Sequence, residues 1–242
     1  MTSVEMENEF LIHYDKITNF DAPGYESDEI SRFLTQAQER LILHIVNPRG
    51  NKYVTGIEVT EKRRKDLSEL HRDGTGVISV NQTGSKADGT FFDLPTDFLY
   101  TLQEEATISS TDPCYDGATG VEVKPVTHDL YIKNRKNPHK KPYGELIWRM
   151  DFSRDTIGTG PKRHELITDA ATTVTTYSFR YLRRPQPIIS DTSIIEGLAG
   201  PLDCELDTIM HRAIIDEAVA IATGITSPEL WQLGRQEASL SE

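Results

Sequence analysis

The sequence predicts an α+β protein: a helical bundle formed from N- and C-terminal segments, with an inserted antiparallel β-rich domain. Three observations predict it. Apolar residues recur at steps of three and four in residues 30–46, and a second helical stripe runs through residues 206–222. Between them, from about Gly76, the period changes to two, and β-branched and aromatic residues alternate with polar ones in short runs. Helical ends around a strand-rich middle are most simply packed as one helical unit built from both termini with a β unit between them. The parts are then 1–75 (helical part), 76–199 (inserted β-rich domain) and 200–242, C-terminal helices returning to the helical part with a flexible tail.

Taken in order, residues 4–20 form a first helix with Phe10, Leu11 and Tyr14 at helical spacing, closed by the turn Asp21-Ala22-Pro23-Gly24. Ser27 is expected to cap the next helix, with Asp28 and Glu29 in its first turn where the helix dipole favours negative charge. Its stripe is Ile30, Phe33, Leu34, Ala37, Leu41, Ile45 and Val46, and Asn47-Pro48-Arg49-Gly50 stops it. A shorter helix over 61–71 places Leu67 and Leu70 on one side and ends at Asp73-Gly74.

Strands are expected at 77–80, 98–110, 121–123, 144–152, 164–168 and 175–182. In the fourth, Leu146, Trp148 and Met150 share one face and Glu145, Arg149 and Asp151 the other; in the last, Tyr177, Phe179 and Tyr181 line a single face. After Gly200-Pro201 a helix resumes, with Asp203 or Asp207 as its cap. Its stretch from Ile215 to Ala222 is apolar nearly all round, the pattern of a helix packed on several sides. Ser227-Pro228-Glu229 starts a short final helix.

Composition removes several functions. Twenty-six basic against 38 acidic residues leave a net charge of −12, the wrong sign for gripping a phosphate backbone. No stretch approaches the roughly 18 apolar residues of a membrane span, so a soluble protein with no membrane association is expected. Glu5, Glu7 and Glu9 stand where an export signal would be basic and then apolar. Two cysteines, Cys114 and Cys204, exclude a disulfide framework and leave a single bridge open.

Motifs for chemistry are missing as well. The seven histidines contain no i, i+4 pair and neither cysteine has a CxxC partner, so no metal site and no cofactor are expected. Asp73-Gly74-Thr75-Gly76 has the aspartate one residue too far for an Asp-Thr-Gly protease turn and reads as a turn between helix and strand. Gly158-Thr159-Gly160-Pro161-Lys162 lacks the spacing of a phosphate cradle and reads as a hairpin loop. The basic runs 62–65 and 133–141 carry no interleaved aromatics for base stacking; a solvated face, or a patch meeting an acidic partner subunit, accounts for them better. An enzyme is not expected, and there are no catalytic candidates. The enzymatic alternative is a hydrolase using carboxylates such as Asp151 or Asp155, with no acid and base at a defined spacing.

What stands out is a series of proline corners: Leu94-Pro95-Thr96-Asp97-Phe98 entering a strand, Val123-Lys124-Pro125-Val126-Thr127-His128-Asp129 leaving one, and Tyr181-Leu182-Arg183-Arg184-Pro185-Gln186-Pro187-Ile188-Ile189 making an extended exit. Their order, with Ala37-Gln38, Asn137-Pro138, Lys141-Pro142, Trp148-Arg149 and Cys204-Glu205-Leu206, resembles the ring-forming head-to-tail connector, or adaptor, proteins of short-tailed phages. It is most like the ring proteins of crAss-like phages, over about residues 14–222. One departure is Asp207, where such relatives often have proline after Cys-Glu-Leu.

The resemblance implies a virion protein at the head-to-tail junction, assembled in the host cytoplasm. It would be a homo-oligomeric ring, commonly dodecameric, that binds the portal protein and adjacent tail or ring proteins, with DNA passing nearby without sequence-specific binding. Helices would pack around the ring and the β domain would project toward a neighbour or the tail. Leu94, Pro95, Asp97, Phe98, Arg184, Pro185 and Pro187 are then interface or shape candidates. A head-completion plug or a ring farther down the tail is the alternative within the same assembly.

Overall fold

The computed structural model describes residues 1–18, 24–46, 61–152 and 161–226. The elements are α1 (Ser3–Thr18), α2 (Ser27–Val46), α3 (Glu61–Asp66) with a 3-10 turn (Ser68–Leu70), β1 (His71–Thr83), β2 (Gly89–Asp93), β3 (Phe98–Ser110), β4 (Val121–Pro125) and α4 (His128–Asn134). They continue through β5 (Leu146–Phe152), β6 (Arg163–Ile167), β7 (Thr172–Arg183), β8 (Ile194–Ile195), β9 (Leu198–Ala199) and α5 (Thr208–Thr226). Mixed α and β structure is what the periodicities call for. Packing divides the chain into one unit of Met1–Leu70 with Pro185–Glu242 and another of His71–Arg184. The expected turn at 21–24, the α2 stop at 47–50, Asp155, the loop glycines 158 and 160, and the helix at Ser227 fall wholly or mostly outside the described residues.

In the first unit α5 packs against both α1 and α2. Met6, Phe10 and Tyr14 give α1 a buried stripe, and Ile30, Leu34, Ala37 and Ile42 do the same for α2. On α5, Ile214, Ile215, Ala218, Val219, Ala220, Ile221 and Ala222 are all buried, as an apolar helix packed on several sides requires. Each fully buried Ile contributes about 1.5–3 kcal/mol by leaving water. Phe10, Tyr14, Tyr25 and Phe33 make a four-ring cluster with centroids 5.0–6.5 Å apart.

The caps differ in part from expectation. Thr2 and Glu5 form a capping box at α1: the Glu5 N–H donates to Thr2 Oγ1 at 3.3 Å and the Thr2 N–H to Glu5 Oε2 at 2.8 Å. Ser27 is the first helical residue of α2, not its cap. Its hydroxyl donates to Glu7 Oε1 at 2.6 Å, while Glu29 reaches back to the Glu26 N–H at 3.0 Å. Between the two candidates at α5, Asp207 is the cap, accepting from the Ile209 N–H at 3.3 Å, whereas Asp203 accepts from the Ser3 N–H at the start of α1.

The second unit is a closed barrel, in the order β1-β2-β6-β5-β4-β3-β7 among the described residues. The expected antiparallel β-rich domain needs correction at one ladder: β4 and β5 are parallel. The cause is the connection through α4, because parallel neighbours need a crossover long enough to return the chain to the same end. β5 and β6 pair antiparallel, with Phe152 opposite Arg163, on either side of the expected hairpin loop.

A second correction concerns Asp73-Gly74-Thr75-Gly76. These residues are not a turn but the start of β1, which begins at His71 and pairs with β7, Gly74 opposite Phe179 and Gly76 opposite Tyr177. Glycine is needed there because a Cβ would stand 2.8 Å from the Phe179 ring at position 74 and 2.6 Å from the Tyr177 ring at position 76. The aromatic side chains of β7 occupy the space a side chain would take. The helix expected over 61–71 correspondingly ends early, in α3 and the 3-10 turn.

The barrel core contains Phe92, Ala106, Ile108, Val121, Val123, Ile147, Leu166, Val174, Tyr177, Phe179 and Tyr181. On the other face of β5 and β6, Trp148, Met150 and Ile167 form a separate cluster with Val126, Tyr131 and Leu146. Thr127 caps α4 by accepting from the Leu130 N–H, and Tyr131 meets Trp148 edge-on at 6.2 Å.

Candidate functional site

The proline corners are built by backbone hydrogen bonds, and the missing proline N–H groups fall where no partner is required. In the barrel, the Leu94 N–H donates to Lys162 O at 2.9 Å and the Phe98 N–H to Pro95 O at 3.2 Å, so the chain turns into β3. Asp97 closes the corner: its carbonyl accepts from the Arg184 N–H at 2.7 Å and its carboxylate from the Tyr181 hydroxyl at 3.1 Å. Leu94 and Phe98 are buried, the Phe98 ring lying 5.4–6.0 Å from His164, Phe179 and Tyr181. Pro95 is half-buried and Arg184 exposed.

Pro185 and Pro187 are both buried and belong to the helical unit. The alternate residues of that exit donate instead: the Gln186 N–H to Glu205 Oε2 at 3.0 Å, the Ile188 N–H to Thr35 Oγ1 at 3.1 Å and the Ser190 N–H to Ser31 Oγ at 3.1 Å. Gln38 Nε2 donates to Gln186 O at 3.3 Å. Ser31, Thr35 and Gln38 stand at i, i+4 and i+7 on α2, a polar stripe that holds an extended chain in register. Sequence reading missed the stripe; the signal was three small or amide side chains at helical spacing among apolar ones.

Inside the barrel lies a network whose members are far apart in sequence. Arg149 Nη1 is 3.1 Å from Glu104 Oε2 and donates to Thr101 Oγ1 at 2.8 Å, with the two charged side chains only 11% and 8% exposed. The Tyr177 hydroxyl donates to Glu104, so neutral His164 carries its proton on Nδ1 and donates to the Tyr177 oxygen at 2.8 Å. Burial first, then the Arg149 charge, pushes the His164 imidazole down to about 3. Burial raises the Glu104 carboxyl above its ordinary value against the pull of Arg149, and raises the Tyr177 phenol, which also faces the Glu104 charge.

Asp151, the carboxylate named for a hydrolase, sits at the edge of this network, its side chain 77% exposed. It lies 3.3 Å from His164 Nε2 and 3.4 Å from Arg149 Nη2. Chemically the buried groups spend most of their hydrogen-bonding capacity on one another, with Arg149 Nε left unpaired. Such a network orients side chains within a core. Both cysteines are free, and no group of three His, Cys, Asp or Glu residues able to hold a metal ion occurs among the described residues. No helix among them is long and apolar enough to cross a membrane.

Comparison with known proteins decides the family. A family model described as phage tail ring protein 3/4 matches residues 1–229, through both units. The chain belongs to the phage tail ring protein 3/4 family. Two relatives of Bacteroides phage crAss001 are each 32% identical to this ring protein family member. "Ring protein 4/5" aligns over 228 residues, 90% of both chains, and "Ring protein 3" over 231 residues, 92% of this chain and 95% of its own. The resemblance to crAss-like phage ring proteins is thereby established, and the family marks the chain as a ring component of the phage virion.

Proposed function

We propose that the chain is a structural subunit of a homo-oligomeric ring, commonly twelvefold, that joins the portal to the tail and surrounds the DNA channel. The observation that carries this is the family match over 1–229, which includes the helical unit and the barrel together. In this reading the helices from both ends of the chain form a bundle that packs around the ring, and the inserted β domain meets a neighbour or the next tail component. Leu94, Pro95, Asp97, Phe98, Arg184, Pro185 and Pro187 act by shape: they set the corners at which strands enter and leave. The buried network serves the barrel's rigidity and not turnover, so a hydrolase at Asp151 is disfavoured.

A ring at another level of the tail, or a head-completion plug, is the second reading. The two relatives carry different ring designations at the same 32% identity, so similarity alone does not select a level. Electron microscopy of the particle tests both. The first reading expects density for this chain as a ring directly on the portal. Density at a more distal ring favours the second, and a folded monomer absent from particles and indifferent to the portal overturns both.

A further inference from the structure

We propose that successive copies of this chain join head to tail through the α4 side of the barrel, which docks on the acidic outer face of α1 and the start of α2 of the next copy. This rests on the ring reading and names the contact that would close it. Residues 124–141 carry six Lys or Arg against one Asp in a chain of net charge −12. Lys124, Lys133, Arg135, Lys136, Lys140 and Lys141 are all exposed. Among them α4 displays Leu130, 46% exposed, and Ile132, 63% exposed, and it buries none of its own residues. Its inward contact with Trp148 is made by Tyr131, so the remaining apolar side chains point to something else.

The matching surface has the same layout with the charges reversed. α1 buries Met6, Phe10 and Tyr14 and presents Val4, 49% exposed, and Ile12, 60% exposed, with Glu5 and Glu9 between them. The bond from Ser27 to Glu7 brings the start of α2 beside it and adds exposed Glu26 and Glu29. Each face is thus a pair of large apolar side chains with a charged surround, the anatomy of a protein contact, and the signs are opposite. A phosphate backbone would match the lysines but would leave Leu130 and Ile132 in water. Because the two faces differ, the contact is heterologous, and repeated rotation either closes it into a ring or leaves it open.

The test is charge exchange in the full chain, read by sedimentation velocity and negative-stain microscopy, with circular dichroism as the folding check. Lys136→Glu/Lys140→Glu/Lys141→Glu and Glu9→Lys/Glu26→Lys should each weaken association at least about tenfold. The two sets combined in one chain should restore it. Ile132→Ser, which leaves the charge alone, should weaken it too. Rings from the triple lysine variant equal to wild type overturn the surface while leaving the ring reading intact. Failure of the combined chain to recover overturns the acidic face as its partner. A folded wild type that self-associates neither alone nor on the portal overturns both readings, and loss of duplex DNA retention with unchanged rings assigns the lysines to DNA instead.

Discussion

The barrel and the helical unit bury their interiors by different rules. The helical unit is filled by apolar volume, to which α5 contributes Ile, Val and Ala, and the buried Ser31 and Gln38 with the half-buried Thr35 bind the backbone of residues 186–190. The barrel mixes an aromatic wall with a charged network of Glu104, Arg149, Tyr177 and His164. One interior is specified by shape and the other by the pairing of groups that are costly to leave unpaired. The two should therefore fail differently.

The largest effect is expected in the barrel. Arg149→Met strands Glu104 in the core without a counter-charge and should cost about 3–5 kcal/mol in urea unfolding followed by tryptophan fluorescence. Adding Glu104→Gln should recover most of the loss; no recovery would mean the network is not the unit of stability. In the helical unit Ile214→Ala, at a fully buried position, should cost about 3 kcal/mol by opening a cavity. Ile214→Leu should stay under about 1.5 kcal/mol if volume is what matters.

Thr35→Val probes the polar exception in that unit. It removes the acceptor of the buried Ile188 N–H and should cost about 2 kcal/mol, with Thr35→Ser near wild type. The most gradual effect is a slope with pH. His164 holds its proton only below about 3 in the fold, against 6.5 for the ordinary side chain, so between those values the unfolded chain binds more protons. Stability should then fall as pH drops from 6.5 toward 3, by at most about 1.4 kcal/mol per pH unit for this one group. Glu104, raised by burial, works in the opposite direction above its ordinary value and blunts the slope there. Melting curves of His164→Gln against wild type should show the slope reduced; an unchanged slope would take the acid sensitivity out of the barrel.

Much of the candidate site was legible only as corners. Asp97 and Arg184 were both named from proline-bearing segments, and the hydrogen bond between their backbones is local to those segments once β3 and β7 pair. The network was invisible because Glu104, Arg149 and His164 sit on three strands with no local spacing among them. β2 was missed for a related reason. In Gly89-Thr90-Phe91-Phe92-Asp93 both phenylalanines are buried on opposite faces, so no alternation marks the strand.

The sequence by itself determined the helices α2 and α5, the extended stretches of β3 to β7, the cap Asp207 as one of two choices, and, through ordered corner motifs, the family. Those are properties of neighbours along the chain: periodicity, capping and proline geometry act within a few residues. Tertiary structure alone decided that the strands close into a barrel with one parallel ladder, that Asp73-Gly74-Thr75-Gly76 is strand and not turn, and that a glutamate, an arginine and a histidine share a core. Each of these depends on what lies across a strand pair, and strand pairing joins residues that are close only after the chain has folded.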